Sequence, residues 1–391
     1  PQPRGSREHS ALTLEWSGRP APAPMLFQLA SYFLRLGILG FGGPPAHIAL
    51  MRRDLVERRK WMTPSQFNDD LATANLLPGP TSTEMAIYAG YRLGGVTGAI
   101  VAGVCFILPA FFIVLVLSIW YVSSPNLSVL ARLLYAIKPV ALALIVSGTF
   151  QIGRPVMKGW REWLLLGVSL VALLALAIDV LLLFVVMGLA LVFLTKRILA
   201  AELPAGLVLP ALATADAATA IQVFLTFLKI GFVIYGGGFA LVGILQQEVV
   251  RGTGWLTGQQ LLDGIAIGQS TPGPVFTTAT FVGYLAAGLP GAILATVGIF
   301  APAFGFVVLE KRLFSQLKSS EVVQIFLRGV NVAVVATIAV SAAQLARTAL
   351  IDPWTLAILA LALVALMRFK LDPLWLIGGA LVIGIIRLLG S

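Results

Sequence analysis

Between residues 95 and 122 the chain carries no Asp, Glu, Lys or Arg, and further apolar segments lie near 127–151, 160–178 and 180–198. A bilayer core about 30 Å thick is crossed by a helix of about 20 apolar residues. Runs of this length, repeated along one chain, predict an all-α polytopic membrane protein. Composition agrees: 58% of the 391 residues are apolar and only 11% are charged, against roughly 25% charged in a soluble globular domain. That charge cannot cover a water-facing surface, so a soluble enzyme, a secreted disulfide scaffold and a disordered chain are excluded. The one cysteine, Cys105, lies inside an apolar run and reads as small core packing. Two histidines, His9 and His47, are too few for a multi-His metal site, and no H-E-x-x-H, G-x-S-x-G or Walker A pattern occurs. No metal, cofactor or catalytic cluster is expected. The net charge of +10 fits basic cytoplasmic loops rather than nucleic acid.

The chain repeats itself. Residues 33–80 align with 227–274 at a constant offset of 194, pairing Phe33, Gly37, Gly42, Gly43, Trp61, Thr63 and Asp69 with Phe227, Gly231, Gly236, Gly237, Trp255, Thr257 and Asp263. Pro78-Gly79-Pro80 meets Pro272-Gly273-Pro274, and at an offset of 193 Gly90, Gly98, Pro109 and Asp179 meet Gly283, Gly291, Pro302 and Asp372. Two homologous membrane repeats follow, 25–198 and 218–389, joined by a linker at 199–217 and preceded by a disordered tail at 1–24 that lacks the apolar core of a signal peptide.

Within one repeat, a helix near 26–41 should break at Gly40-Phe41-Gly42-Gly43-Pro44-Pro45, and a charged amphipathic stretch, Met51 to Trp61, follows. Short helices at 64–77 and 81–93 flank Pro78-Gly79-Pro80. Neither can span alone, so the pair is a re-entrant hairpin or one broken span. Charge favours the hairpin. With about five spanning helices per repeat the second repeat is inverted, and one face then collects 16 Lys and Arg against 6 on the other. The basic loop 52–60 also corresponds to 246–254, where Arg251 is the one basic residue.

Inverted repeats usually carry a transport site at their interface, built from interrupted helices. Glycine opens the backbone to a ligand, and Pro80 or Pro274 suits the first turn of a following helix. Amides at such a helix start point partial positive charge at an anion. Candidate substrate contacts are therefore Gly42, Gly43, Asn75, Pro78, Gly79, Pro80, Thr81, Ser82 and Thr83. Their second-repeat counterparts are Gly236, Gly237, Gln269, Ser270, Thr271, Pro272, Gly273 and Pro274, with Thr277-Thr278 beyond. A plain hairpin tip is the competing reading of Pro-Gly-Pro. Arg35 and Lys229 share one repeat position inside apolar helices; a cation at membrane depth costs about 2.5–3.5 kcal/mol and so implies a partner or a function. Brought together they would match a dianion; otherwise each snorkels. Glu84, Asp69, Asp263 and His47 are coupling candidates. Glu84 reads equally as a first-turn carboxylate, the two aspartates equally as structural, and His47 as a loop histidine. Thr63 and Thr257 are expected N-caps. Lys138 stays open.

Phe41-Gly42-Gly43-Pro44-Pro45-Ala46-His47-Ile48 and Asn75-Leu76-Leu77-Pro78-Gly79-Pro80-Thr81-Ser82-Thr83 resemble the chromate ion transporter family. So do Gly236-Gly237-Gly238 and Gly268-Gln269-Ser270-Thr271-Pro272-Gly273-Pro274. The resemblance covers 25–389 and is to the long, two-domain bacterial form. It implies a multi-pass protein of the bacterial inner membrane that exports chromate from the cytoplasm, confers chromate resistance, and couples to the proton gradient or membrane potential. The residues alone reach an oxyanion transporter. Sulfate or another oxyanion as substrate, and an anion channel, are the alternative readings. A homodimer stays open.

Overall fold

A computed structural model describes residues 23–75, 77–124, 135–176, 178–196, 219–234, 238–313, 320–371 and 373–389. Most of the tail, the 199–217 linker, Gly236, Gly237 and Asp372 lie outside the described residues. Every regular element described is helical. The first repeat gives α1 (Ala23–Leu39), α2 (Gly43–Met51), α3 (Pro64–Ala74), α4 (Thr81–Ser123), α5 (Ile137–Val156), α6 (Trp160–Ala175) and α7 (Val180–Lys196). The second gives α8 (Ala220–Val233), α9 (Gly238–Leu245), α10 (Gly258–Ser270), α11 (Thr278–Leu313), α12 (Glu321–Ala349), α13 (Pro353–Met367) and α14 (Pro373–Leu389). Of these, α4, α5, α11 and α12 are each long and apolar enough to cross a bilayer, while α1, α7, α8, α13 and α14 are shorter apolar helices. At 1.5 Å per residue a 17-residue helix reaches about 25 Å, close to the hydrocarbon thickness. The chain is a multi-pass, all-α membrane protein.

The local chemistry repeats with the sequence. Thr63 and Thr257 both cap as expected: each hydroxyl accepts the amide three residues on (3.2 Å in both), and Gln66 and Gln260 return the bond to the cap amides. Downstream of α2 and α9 the chain widens into one π-helical stretch per repeat, Arg52–Arg58 and Gln246–Gly252. These close through Arg59 N–H on the Asp54 carbonyl and Thr253 N–H on the Glu248 carbonyl, both 2.9 Å.

The long helix α4 is two helices. At Gly94-Gly95 (Gly95 φ 60°, ψ −151°) the chain turns back, and Ala287-Gly288 does the same in α11 (Gly288 φ 63°, ψ −153°). The short leg 81–93 therefore lies against the span after it, with Gly90 packed on the Gly98 carbonyl; Gly283 meets Gly291 in the same way, and neither contact leaves room for a side chain. The 64–77 expectation shortens to α3, which ends at Ala74, with Asn75 as its cap.

The two repeats interlock. The span of α4 packs on that of α11, α5 packs on α13 and α14, and α12 packs on α6 and α7, so each repeat's middle helix joins the last pair of the other. Between α12 and α13, Asp352 caps α13 by accepting the Thr355 amide (2.8 Å) and also accepts the Tyr135 hydroxyl. These donors hold its carboxyl below the usual carboxylate range. The packing is not symmetric. Helices α9 and α10 pack on α12 and α5. Their mates α2 and α3 pack on α4 and make no comparable contact with α5 or α12 among the described residues. Buried apolar side chains divide in part accordingly: those of α1–α3 and most of α4 form one cluster that reaches the second repeat at Ala303 and Val307, while those of α8–α12 merge with α5–α7 and with Ile107 and Val114 of α4.

Candidate functional site

Both Pro-Gly-Pro turns lie where one repeat touches the other. Gly79 has φ 148° and Gly273 φ 88°, conformations that L side chains rarely adopt. A Cβ built on Gly79 would be 3.8 Å from the Ala303 Cβ of α11, and one on Gly273 would be 3.0 Å from the Ala110 Cβ of α4. Ala110 and Ala303 are themselves repeat mates. The second turn goes further. Its Gly273 N–H donates to the Gly40 carbonyl at 2.8 Å, and His47 Nε2 lies 2.9 Å from the same oxygen. The break after α1, where Gly42 (φ 96°) and Gly43 (φ 72°) turn the chain into α2, is thus the seat of the opposite turn. His47 is buried, with its ring edge-on to Phe106, and acts as part of that seat.

The helix starts differ in how their polar groups are satisfied. In the first repeat the amides of Thr83 and Glu84 donate to the Pro80 carbonyl (2.7 and 3.0 Å), leaving those of Thr81 and Ser82 ahead of the first helical donors. Ser82, Thr83 and Glu84 are buried, and among the described residues neither the Thr83 hydroxyl nor either Glu84 oxygen has a hydrogen-bond partner. The Glu84 carboxyl sits against Gly79. Burying such a group without a partner is costly, which marks this spot as chemically unfinished. In the second repeat the hydroxyls bond back locally: Thr277 to Pro274 O (2.8 Å), Thr278 to Val275 O (2.8 Å), Thr271 to Gly268 O (3.0 Å) and Ser270 to Ala266 O (2.5 Å). Pro78 is half-buried, Pro80, Pro272 and Pro274 are buried, Gln269 is half-buried, and Asn75 is exposed.

The charged candidates separate. Lys229 Nζ is 3.0 Å from both Glu248 oxygens and 3.8 Å from Asp179. Arg35 lines a cavity walled by α1, α2 and the π turn, together with Asp54, the repeat mate of Glu248. Among the described residues the two cations share no partner: Lys229 is paired with Glu248, and Arg35 borders the cavity that Asp54 also lines. Asp69 is exposed, with Ser65 at 3.5 Å. Its mate Asp263 is buried, accepts the Tyr121 hydroxyl at 2.9 Å and lies 3.6 Å from Lys138 Nζ, itself buried. Asn331 is the repeat mate of Lys138, and its amide oxygen is buried without a partner. Sequence reasoning did not pair Lys138 with Asp263, nor Asp70 with Arg92, a two-pronged 2.5 Å ion pair that ties α3 to α4. It also passed over Asp54 and Glu248, although the 194-residue offset matches them. Among the described residues no cluster of His, Cys, Asp and Glu could hold a metal ion.

Comparison with known proteins agrees with this architecture. The family described as "Chromate transporter" matches twice, over residues 27–193 and 221–385. The chromate transport protein of Cupriavidus metallidurans is 34% identical over 96% of both chains. A probable chromate transport protein of Synechococcus elongatus is 33% identical over 88% of this chain and 90% of its own. The chromate transport protein of Pseudomonas aeruginosa is 32% identical over 83% and 82%. No solved structure matches. With one family copy on each repeat, and relatives aligned along nearly the whole length, the chain belongs to the chromate transporter family.

Proposed function

We propose that the protein exports chromate from the cytoplasm across the bacterial inner membrane by alternating access, driven by the proton gradient or the membrane potential. The observation that carries this reading is the broken symmetry of the bundle. In one broken-helix unit α9 and α10 pack into α5 and α12, while their mates α2 and α3 make no comparable contact there among the described residues. Exchanging these two packings would open the opposite side of an inverted pair, which is the rocking expected of repeat-built transporters. The Asp263–Lys138–Tyr121 contact then clasps the packed side, and Asp69 with Asn331 is the corresponding contact of the alternate state. Substrate is held by the two Pro-Gly-Pro turns, through the first-turn amides of Thr81 and Ser82 and the hydroxyl of Thr83. Asn75 and Gln269 stand at the approaches. Arg35 and Lys229 set the potential along the path rather than ligate.

Glu84 is the coupling residue in this reading. A buried carboxylate without a partner is costly, and carrying a proton lowers that cost. An ionised Glu84 would repel a dianion at the adjacent amides and a protonated one would not, so proton and substrate occupancy of the site are coupled. Sulfate, also a tetrahedral dianion, is the competing substrate. The test is flux of chromate and of sulfate in inside-out vesicles under imposed pH and voltage gradients. Chromate uptake that responds to the imposed pH gradient or runs against chromate's own electrochemical gradient is expected; flux that only follows that electrochemical gradient, without counter-ion coupling, would make the protein a channel.

A further inference from the structure

The cavity beside Arg35 lies outside the transport turns. It has a volume of about 270 Å³ and is lined by Arg35, Arg53, Arg58 and Arg59 with a single carboxylate, Asp54. Asp54 pairs with Arg53 (3.0 Å) and Arg58 (3.6 Å), and Arg59 stacks over the rings of Tyr32 and Trp61 (5.2 and 4.6 Å). No hydrogen bond or ion pair forms to Arg35 among the described residues. Tyr32 also lines the cavity, 5% exposed, and its hydroxyl is buried without a hydrogen-bond partner among the described residues. Four guanidinium groups facing one carboxylate leave an uncompensated positive charge and open donors. Arginine is the side chain best shaped to hold the oxygens of a phosphate.

We propose that this cavity is a binding site for the phosphate headgroup of an anionic phospholipid. Three observations favour a lipid over a transported anion. The cavity borders a face of α1 on which Leu34, Ile38 and Leu39 are 41%, 47% and 59% exposed, a bed for acyl chains next to the headgroup. The machinery common to both repeats is duplicated, whereas this feature is not: Thr226, Gln247, Gly252 and Thr253 stand at the positions of Tyr32, Arg53, Arg58 and Arg59. Its walls, finally, come from α1, α2 and the π turn, with no part of either Pro-Gly-Pro turn. Basic pockets between membrane helices bind anionic headgroups in this way, at about fivefold in affinity per Lys or Arg.

The experiment uses the purified full chain in detergent, with thermal unfolding and retained lipid as paired readouts. Phosphatidylglycerol or cardiolipin should raise the unfolding midpoint and co-purify, and phosphatidylcholine should do neither. R35Q combined with R58Q should lose the anionic-lipid response and weaken retention roughly 25-fold. R35K with R58K should keep most of it, which separates lost charge from lost folding. R347Q, a basic residue far along the chain, should respond as the parent does. Equal stabilisation by phosphatidylcholine, or an unchanged response in the double glutamine variant, would overturn the proposal. Inorganic phosphate reproducing the effect and displacing the lipid would assign the cavity to a small anion instead. None of these readouts measures transport, so the outcome is independent of the export reading.

Discussion

Gly79 and Gly273 are small because two constraints meet at each. Both hold positive φ, and each lies against the other repeat, Gly79 near Ala303 and Gly273 near Ala110. An alanine costs about 1–2 kcal/mol in backbone terms, and at Gly79 the new methyl would also overlap the Glu84 carboxyl. Gly79→Ala and Gly273→Ala should each lower chromate protection in growing cells at unchanged membrane expression, more than Ser82→Ala does. A silent Gly79→Ala beside an inactive Ser82→Ala would move recognition to side chains. Glu84 makes a sharper case, because its carboxyl is buried with both oxygens unpartnered. Glu84→Gln keeps the volume and removes the titration. Vesicle flux in this variant should persist while losing its dependence on the pH gradient; an unchanged dependence would remove Glu84 from coupling.

Among the elements, α10 is held by a clasp that its mate α3 lacks. Lys138 and Tyr121 close on Asp263, all from segments of different sequence position. Removing one partner of a buried ion pair leaves the other charge stranded, at a cost of about 3 kcal/mol or more. Lys138→Met should lower the unfolding midpoint in detergent, and Lys138→Met with Asp263→Asn should recover part of the loss, giving a coupling energy by double-mutant cycle. A second element-level contact is testable by pH. Asp352 has its carboxyl lowered by the Tyr135 hydroxyl and the Thr355 amide. Its contribution to stability is therefore fully present above the unfolded-state carboxylate value, about 3.9, and is lost as pH falls through the lower folded value. Asp352→Asn should flatten that acid limb of midpoint against pH, leaving the neutral region parallel to the parent.

At the scale of the molecule, the interlocking of repeats makes topology the quantity to measure. Five crossings per repeat would place Asp179 on the same face as the 246–254 segment, and Lys229 bridges Asp179 to Glu248. The same count groups Tyr135, Asp352 and Arg387, and the Arg387 guanidinium lies 3.6 Å from the Tyr135 ring centroid. In a Cys105→Ser background, cysteines at Ser65 and Gly258 should therefore be labelled by an impermeant thiol reagent from opposite sides. Labelling from one side would end the inverted arrangement and the exchange of packings with it. The 194-residue offset, the capping threonines, the Gly42-Gly43 break and the Pro-Gly-Pro turns were legible in the chain because each is a local rule: a cap, a breaker or a helix start depends on residues a few positions apart. The apolar runs set the class of protein for the same reason, since crossing a bilayer is a matter of length and polarity along one helix. Which cation meets which carboxylate was not local. Lys138 and Asp263 are brought together only by the packing of α10 on α5, and Lys229 turned to Glu248 rather than to Arg35 because a charge in a low-dielectric surround is neutralised by the nearest opposite charge. The departure from symmetry was also invisible in the chain: two near-copies carry the same pattern, and only their tertiary packing sets α9 and α10, rather than α2 and α3, against α5 and α12.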